Sequence, residues 1–355
     1  MDISIIGANG STGRHIASRI LLEKLLLPTD RLQLVGRKEG ESANALYGFR
    51  QDLKDAFAEH CPIIDIALHP EDVVADIIVM AAGSTIHAHS NPGQTPPSRD
   101  DLAVYNRQIA IPYADAIARY GHGHEVVIVV TNPVELVVEV FSQHYNRHRI
   151  IGMGAYQDSL RFRREVARSI NVSREAVRAM VLGEHGDGIV PLWSSVTIQG
   201  FSDSETKRAI QNVRSSTTSH DFPETLVRMR HEIIQIASEG NIADAFRRFD
   251  ALPPDVRVII GPFLTLFSGS KTDIATANAT VDLIKSMLSG KDTVIAAQIS
   301  LRGEFLGIVG PIGAPVLITP KGWDAIYPLT ISKGEQKLFF RSAQSIQRKL
   351  LLWNT

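Results

Sequence analysis

Residues 3–13 read ISIIGANGSTG, and this stretch decides the fold class. An apolar β-branched run, Ile3–Ile6, ends at Gly7, and glycines at 7, 10 and 13 lead straight into a helical pattern. A turn with few side chains lets the backbone approach a pyrophosphate, whose charge then faces free N–H groups at the helix N-terminus. Gly7, Asn9, Gly10, Ser11, Thr12 and Gly13 are therefore expected to hold the phosphates of a dinucleotide. The same spacing also describes a tight strand-to-helix turn without a ligand, and the surrounding pattern weighs against that reading. Residues 1–152 alternate short β-branched runs with helical patterns, as a parallel sheet with crossover helices requires. Strands are expected at Ile3–Ile6, Leu32–Val35, Ile64–Leu68, Ile77–Ala81, Val126–Val130 and Ile150–Ile151, with helices at about 12–26, 42–58, 101–120 and 133–145.

The second half opens with a helical pattern near Ser159–Ile170, followed by strands around 176–182 and 192–199. A polar, helix-rich stretch covers 201–250, and an apolar helix runs from about Lys271 to Leu288. Gly/Pro-punctuated β segments fill 292–318, and Ile331–Leu351 reads as an amphipathic helix. The expected class is α/β: a doubly wound parallel Rossmann sheet over residues 1–152, then an α+β substrate and oligomerisation domain over 153–355. The junction falls near Gly152–Gly154.

At 355 residues the chain exceeds one ordinary core of ~100–200 residues, which favours two domains. Lys and Arg total 37 against 38 Asp and Glu, so the net charge of −1 gives no general attraction to nucleic acid or an anionic membrane. A single cysteine, Cys61, excludes an internal disulfide, and no Cys/His ligand array suggests a metal. MDISIIGANG enters an apolar run without a basic leader, and no stretch reaches the roughly 18 apolar residues of a membrane span. The expectation is a soluble, unprocessed cytoplasmic protein.

The second expected strand ends at Val35 and continues as Gly36-Arg37-Lys38. An acid placed here would bind the adenosine ribose hydroxyls. Instead Gly36 makes room, while Arg37 and Lys38 offer a guanidinium fork and an ammonium suited to a 2′-phosphate. The pair predicts NADP(H) in preference to NAD(H), although two solvated surface charges would look the same.

Leu182–Trp193, LGEHGDGIVPLW, sets His185 between Glu184 and Asp187 in a glycine-rich turn. Reducing a 2-oxo acid needs a hydride donor, a proton donor, a cation near the carbonyl oxygen and an anchor for the carboxylate. His185 can give the proton as imidazolium. Asp158 can hold its other ring nitrogen. Arg161, three residues further on, shares a helix face with Asp158 and can grip a carboxylate bidentately. Arg99 lies in a loop rich in Gly, Pro, Ser and His and can polarise the carbonyl when that loop closes.

The ordered blocks GANGSTG, MAAG (80–83), SRDDLAVYN (98–106), TNPV (131–134), DSLRFR (158–163), GEHGDGIVPLW (183–193) and KTDIATANATVDL (271–283) resemble the lactate/malate dehydrogenase family. The resemblance covers almost the full length. It implies a two-domain fold with the active site between domains, ordered cofactor binding, and a homodimer or homotetramer acting on a small 2-hydroxy or 2-oxo acid. By motif match it makes His185 the proton donor, Asp158 its partner, Arg161 the carboxylate clamp and Arg99 the loop arginine. Asn132 becomes a nicotinamide and substrate contact, and Thr272 a wall of the substrate pocket. Ala82, Gly83, Asn106 and Thr131 become cofactor contacts.

The chain departs from that pattern in the loop Ser84–Ser98, STIHAHSNPGQTPPS, which carries no arginine before Arg99. Malate dehydrogenases place a second arginine there for the distal carboxylate. The equivalent place here is near His89 or Ser90, so plain oxaloacetate loses its anchor, and His87 or His89 is left to meet a polar tail. Residues at about 201–268 also exceed the family length, as a cover or an interface. Two other readings compete. A sensor or scaffold that has lost catalysis would show a damaged constellation, whereas His185, Asp158, Arg161 and Arg99 are all present. A related NAD-dependent glycosidase would need a cysteine and histidines around a metal, and Cys61 lies far upstream.

Overall fold

The computed structural model describes residues 1–40, 42–84, 99–214, 221–291 and 293–353. From the N-terminus it contains β1 (Asp2–Ile6), α1 (Ser11–Leu22), β2 (Arg31–Val35), α2 (Ser42–Ala56), β3 (Ile63–Ala67), β4 (Ile77–Met80), α3 (Arg99–Tyr120), β5 (Val126–Val129), α4 (Val134–His144) and β6 (Ile150–Gly152). These strands pair in parallel in the order β3-β2-β1-β4-β5-β6. The order reverses between β1 and β4, and in such sheets a crevice opens there at the carboxyl ends of the strands.

Burial on both faces explains the unbroken apolar runs. Ile3 and Ile5 pack with Ile16 and Ile20 of α1 and Leu46 of α2 on one side. Ile6, Ile78 and Met80 pack with Ala114 and Ile117 of α3 and with Val137 and Phe141 of α4 on the other. The register of β1 on β2 and β4 brings the turn after β1 beside the ends of both neighbours: Gly7 and Ala8 donate N–H to Val35 O at 2.9 and 3.1 Å, and Ala81 N donates to Ile6 O at 2.9 Å.

The chain continues through α5 (Gly154–Ile170), β7 (Val177–Gly183), β8 (Ile189–Ile198), α6 (Asp203–Val213), α7 (Phe222–Ser238), α8 (Ile242–Asp250), α9 (Pro254–Phe267) and α10 (Asp273–Leu288). It ends with β9 (Thr293–Arg302), β10 (Val309–Thr319), β11 (Gly322–Ile326) and α11 (Lys333–Trp353). The sheet extends in antiparallel fashion through β6-β9-β10-β7-β8, with β11 on β10. Within the sheet the halves join at one register pair, Gly152 of β6 opposite Gln298 of β9.

The two widest departures from the expected boundaries are at α5 and α1. Helix α5 starts at Gly154, five residues ahead of the expected Ser159. Its N-cap Met153 makes no side-chain cap, so the usual Ser, Thr, Asp or Asn signal is missing. Helix α1 stops at Leu22 because Lys24 adopts a positive φ of 53°.

Candidate active site

At the carboxyl ends of β1, β4 and β5 lies a cavity of about 360 Å3, lined by Thr12, Gly83, Thr131 and Asn132 from the first half and Asp158, Arg161, His185 and Thr272 from the second. The glycine turn leads into Thr12, which lines this cavity. A Cβ on Gly7 would fall 2.6 Å from Ala82 Cα, and one on Gly13 would fall 2.3 Å from Gly7 O, so side chains are excluded where the backbone folds on itself. Gly10 caps α1 without a side-chain hydrogen bond, and the first turn carries no acid. The N–H groups there are left for an anion, and the cradle fits the pyrophosphate of a dinucleotide. The Thr12 hydroxyl donates to Asp273 Oδ1 at 2.7 Å and ties α1 to α10. Asn9 accepts from Arg14 Nη2 at 2.6 Å.

Asn106 is buried, accepts from Ser84 N at 2.6 Å, and donates to Ser84 O at 3.0 Å and Asn132 O at 2.6 Å. The Thr131 hydroxyl donates within reach of Met80 O at 3.1 Å and Ala82 O at 2.8 Å. These bonds shape the strand ends by holding Ala82, Ser84 and Asn132 in place. Asn132 itself is exposed to the cavity.

At the end of β2, Arg37 and Lys38 are exposed, and neither has an ion-pair partner among the described residues. Gly36 has a packing reason in addition to any ligand, since a Cβ there would come 2.5 Å from Leu46 Cδ1 of α2.

On the opposite wall, Nδ1 of His185 donates to Oδ2 of Asp158 at 2.7 Å, and Nη1 of Arg161 donates to Oδ1 at 2.8 Å. One buried carboxylate thus orients both groups. Arg161 keeps Nε and Nη2 without partners among the described residues, an open edge for a carboxylate. Burial opposes charging of His185, but the Asp158 charge and hydrogen bond outweigh it and hold the imidazole above its ordinary pKa. For Asp158, burial is likewise outweighed, by His185 and Arg161, and its pKa is lowered. Gly154 makes this contact possible, since a Cβ there would stand 2.6 Å from His185 Cγ.

Several contributors were not legible in the sequence. Glu135, buried in the first turn of α4, accepts the backbone N–H of His185 at 2.7 Å. Burial and the Glu184 charge push its pKa up to about 7. Lys349 of α11 pairs with Glu184, and both line the cavity with Trp353. Asp187 accepts from Arg230 of α7 at 2.6 Å. Glu135 directly follows the TNPV motif, but only the fold reveals its neighbour; α11 was legible as an amphipathic helix, but nothing local tied Lys349 to Glu184.

Arg99 opens α3, and its side chain is outside the described residues, as are His87, His89 and Ser90. Cys61 lies just before β3 and does not line the cavity. No helix among the described residues is long and apolar enough to cross a membrane.

Residues 1–152 match the model of the lactate/malate dehydrogenase NAD-binding domain, and residues 157–245 match that of the lactate/malate dehydrogenase α/β C-terminal domain. An L-2-hydroxycarboxylate dehydrogenase (NAD(P)(+)) of Methanocaldococcus jannaschii is 28% identical, covering 98% of this chain and 97% of that protein. A malate dehydrogenase of Sorangium cellulosum is 30% identical over 77% of this chain and 73% of its own length. In structure, malate dehydrogenase of Cryptosporidium parvum superposes with a TM-score of 0.75 at 23% identity, covering 99% of this chain and 98% of that one.

Proposed function

Because the chain belongs to the lactate/malate dehydrogenase family, we propose that it is a dehydrogenase that reduces a small 2-oxo acid to the L-2-hydroxy acid with NADP(H) in preference to NAD(H). The observation that carries this reading is the convergence of His185, Asp158 and the open edge of Arg161 in one cavity with Thr12, in the first turn of the helix that follows the glycine turn. Residues 1–152 hold the dinucleotide and residues 153–355 the acid. The subunits form a homodimer or homotetramer.

A reduced nicotinamide held by the glycine turn would supply the hydride that the keto carbon needs. Arg161 grips the substrate carboxylate through Nε and Nη2. His185, held by Asp158 at Nδ1, delivers the proton from Nε2 to the former carbonyl oxygen, so one hydride and one proton complete the hydroxy acid. In the reverse direction neutral His185 takes that proton back. Asn132 faces the reacting groups, Thr272 walls the substrate, and Arg99 polarises the carbonyl. Preference for the phosphorylated cofactor rests on Arg37 and Lys38, exposed and uncommitted beside the turn.

The test follows loss of reduced-nicotinamide absorbance with NADPH and with NADH against 2-oxo acids of varied tail. NADPH-dependent reduction is expected, with Arg37→Ser narrowing the preference about tenfold or more as charge-assisted bonds of about 1.5–3 kcal/mol are lost. Tight NADPH binding with no turnover on any acid would favour the non-catalytic sensor, and an unchanged preference in Arg37→Ser would remove the cofactor assignment.

A further inference from the structure

The segment preceding α10 does more than cover the fold. Helix α9 is fixed on one side by polar contacts: Trp193 Nε1 donates to Asp255 Oδ2 at 3.1 Å, and Arg257 Nε donates to Glu165 Oε2 of α5 at 2.6 Å. The remaining Arg257 donors meet Asp250 O, Leu252 O, Glu165 O and Ser169 Oγ. With that face pinned to the helix that carries Asp158 and Arg161, the positions Val258, Ile259, Pro262, Phe263 and Leu266 fall on one stripe and line the cavity. Arg230 lies over the Phe263 ring at 5.0 Å and also holds Asp187 of the His185 turn, which links the stripe to the histidine. Pro262, Phe263 and Leu266 are only half-buried.

We propose that α9 is the specificity wall of the site and that the substrate is a 2-oxo acid with a branched aliphatic tail, lying on Val258, Ile259, Pro262, Phe263 and Leu266. This rests on the dehydrogenase reading above. With the carboxylate on Arg161 and the keto oxygen at His185, the tail is the remaining part of the acid to be housed, and the stripe shares the cavity with both. An anionic tail finds little there among the described residues. Lys349 is committed to Glu184 and Arg230 to Asp187, while Lys271 is exposed and two residues from Asp273. Each methylene laid on the wall is worth about fourfold in kcat/KM.

The test compares kcat/KM for pyruvate, 4-methyl-2-oxopentanoate and oxaloacetate with the preferred cofactor, in the wild type, Leu266→Gln and Phe263→Ala. Cofactor binding by fluorescence confirms that each variant is folded, and either variant suffices. The expected result is a wild-type preference for the branched acid over pyruvate of about tenfold or more. In the variants that ratio falls toward unity. A wild type that favours oxaloacetate or pyruvate overturns the proposal, and so does a ratio that neither variant moves. Silence on all three acids is a different result, which removes the dehydrogenase reading and this wall with it.

Discussion

The backbone N–H of His185 donates to Oε1 of Glu135 at 2.7 Å, so an acid holds this histidine from behind while Asp158 holds its ring. Burial, with the Glu184 charge next, raises Glu135 from 4.5 to about 7. A raised folded value means that the folded state favours the neutral acid. The associated stability is fully present below about 4.5 and is lost as pH climbs through about 7. Glu135→Gln keeps an oxygen acceptor and removes the ionisation. Its stability relative to wild type is expected to rise between about pH 5 and about pH 8, by up to about 3 kcal/mol. Urea midpoints at the two pH values measure this, and an equal difference at both would show that Glu135 does not ionise in that range.

For His185 the direction is also upward, with Asp158 overcoming burial. The reducing direction uses the imidazolium, so kcat/KM for reduction should hold below a pKa above 6.5 and fall as pH rises through it. In Asp158→Asn the burial remains while the opposing charge is gone, and the inflection should move to lower pH. A profile between about pH 5 and pH 9 with the same inflection in both proteins would separate the histidine from the aspartate. His185→Asn should bind the cofactor and lose most reduction.

Arg161 spends only Nη1 on Asp158. An ammonium at this position cannot provide a two-pronged edge, so Arg161→Lys should lower kcat/KM by roughly ten- to a thousandfold through one or two charge-assisted bonds of about 1.5–2 kcal/mol. Wild-type kinetics in that variant would take Arg161 out of the substrate site.

Arg257 and Glu165 form a buried pair between α9 and α5, with side chains 6% and 2% exposed. Removing Arg257 leaves the buried Glu165 carboxylate with only the exposed Arg164 as an ionic partner, and Arg257→Met should cost about 3 kcal/mol. Replacing both, as Glu165→Leu with Arg257→Met, should recover much of it. Denaturant unfolding of the two proteins checks the order, and a double variant no more stable than the single would mean that the helix contact, not the charge, was lost.

The chain of local signals reached far. Ile3–Gly13 specified a strand, a turn without side chains and a helix, because glycine spacing and β-branched runs are properties of consecutive residues. Arg161 three residues after Asp158 was enough to put both on one helix face, and the structure gives them one carboxylate to share. What local order did not carry was partnership across the fold. The separation of 50 positions between Glu135 and His185, and of 165 between Glu184 and Lys349, leaves no periodic trace in sequence. Nor did local order show that Asn106 and Thr131 bond to the backbone at the ends of β4 and β5, where buried carbonyls and amides had to be satisfied. The same requirement, met by Arg257, fixed α9 on α5 and made residues 258–266 a wall of the cavity. Sequence by itself determined the elements and the chemistry of the reacting groups, because both follow from near neighbours. Only tertiary structure decided which polar groups are consumed in holding the site and which surface lines the cavity, because desolvation and close packing depend on what lies opposite in space.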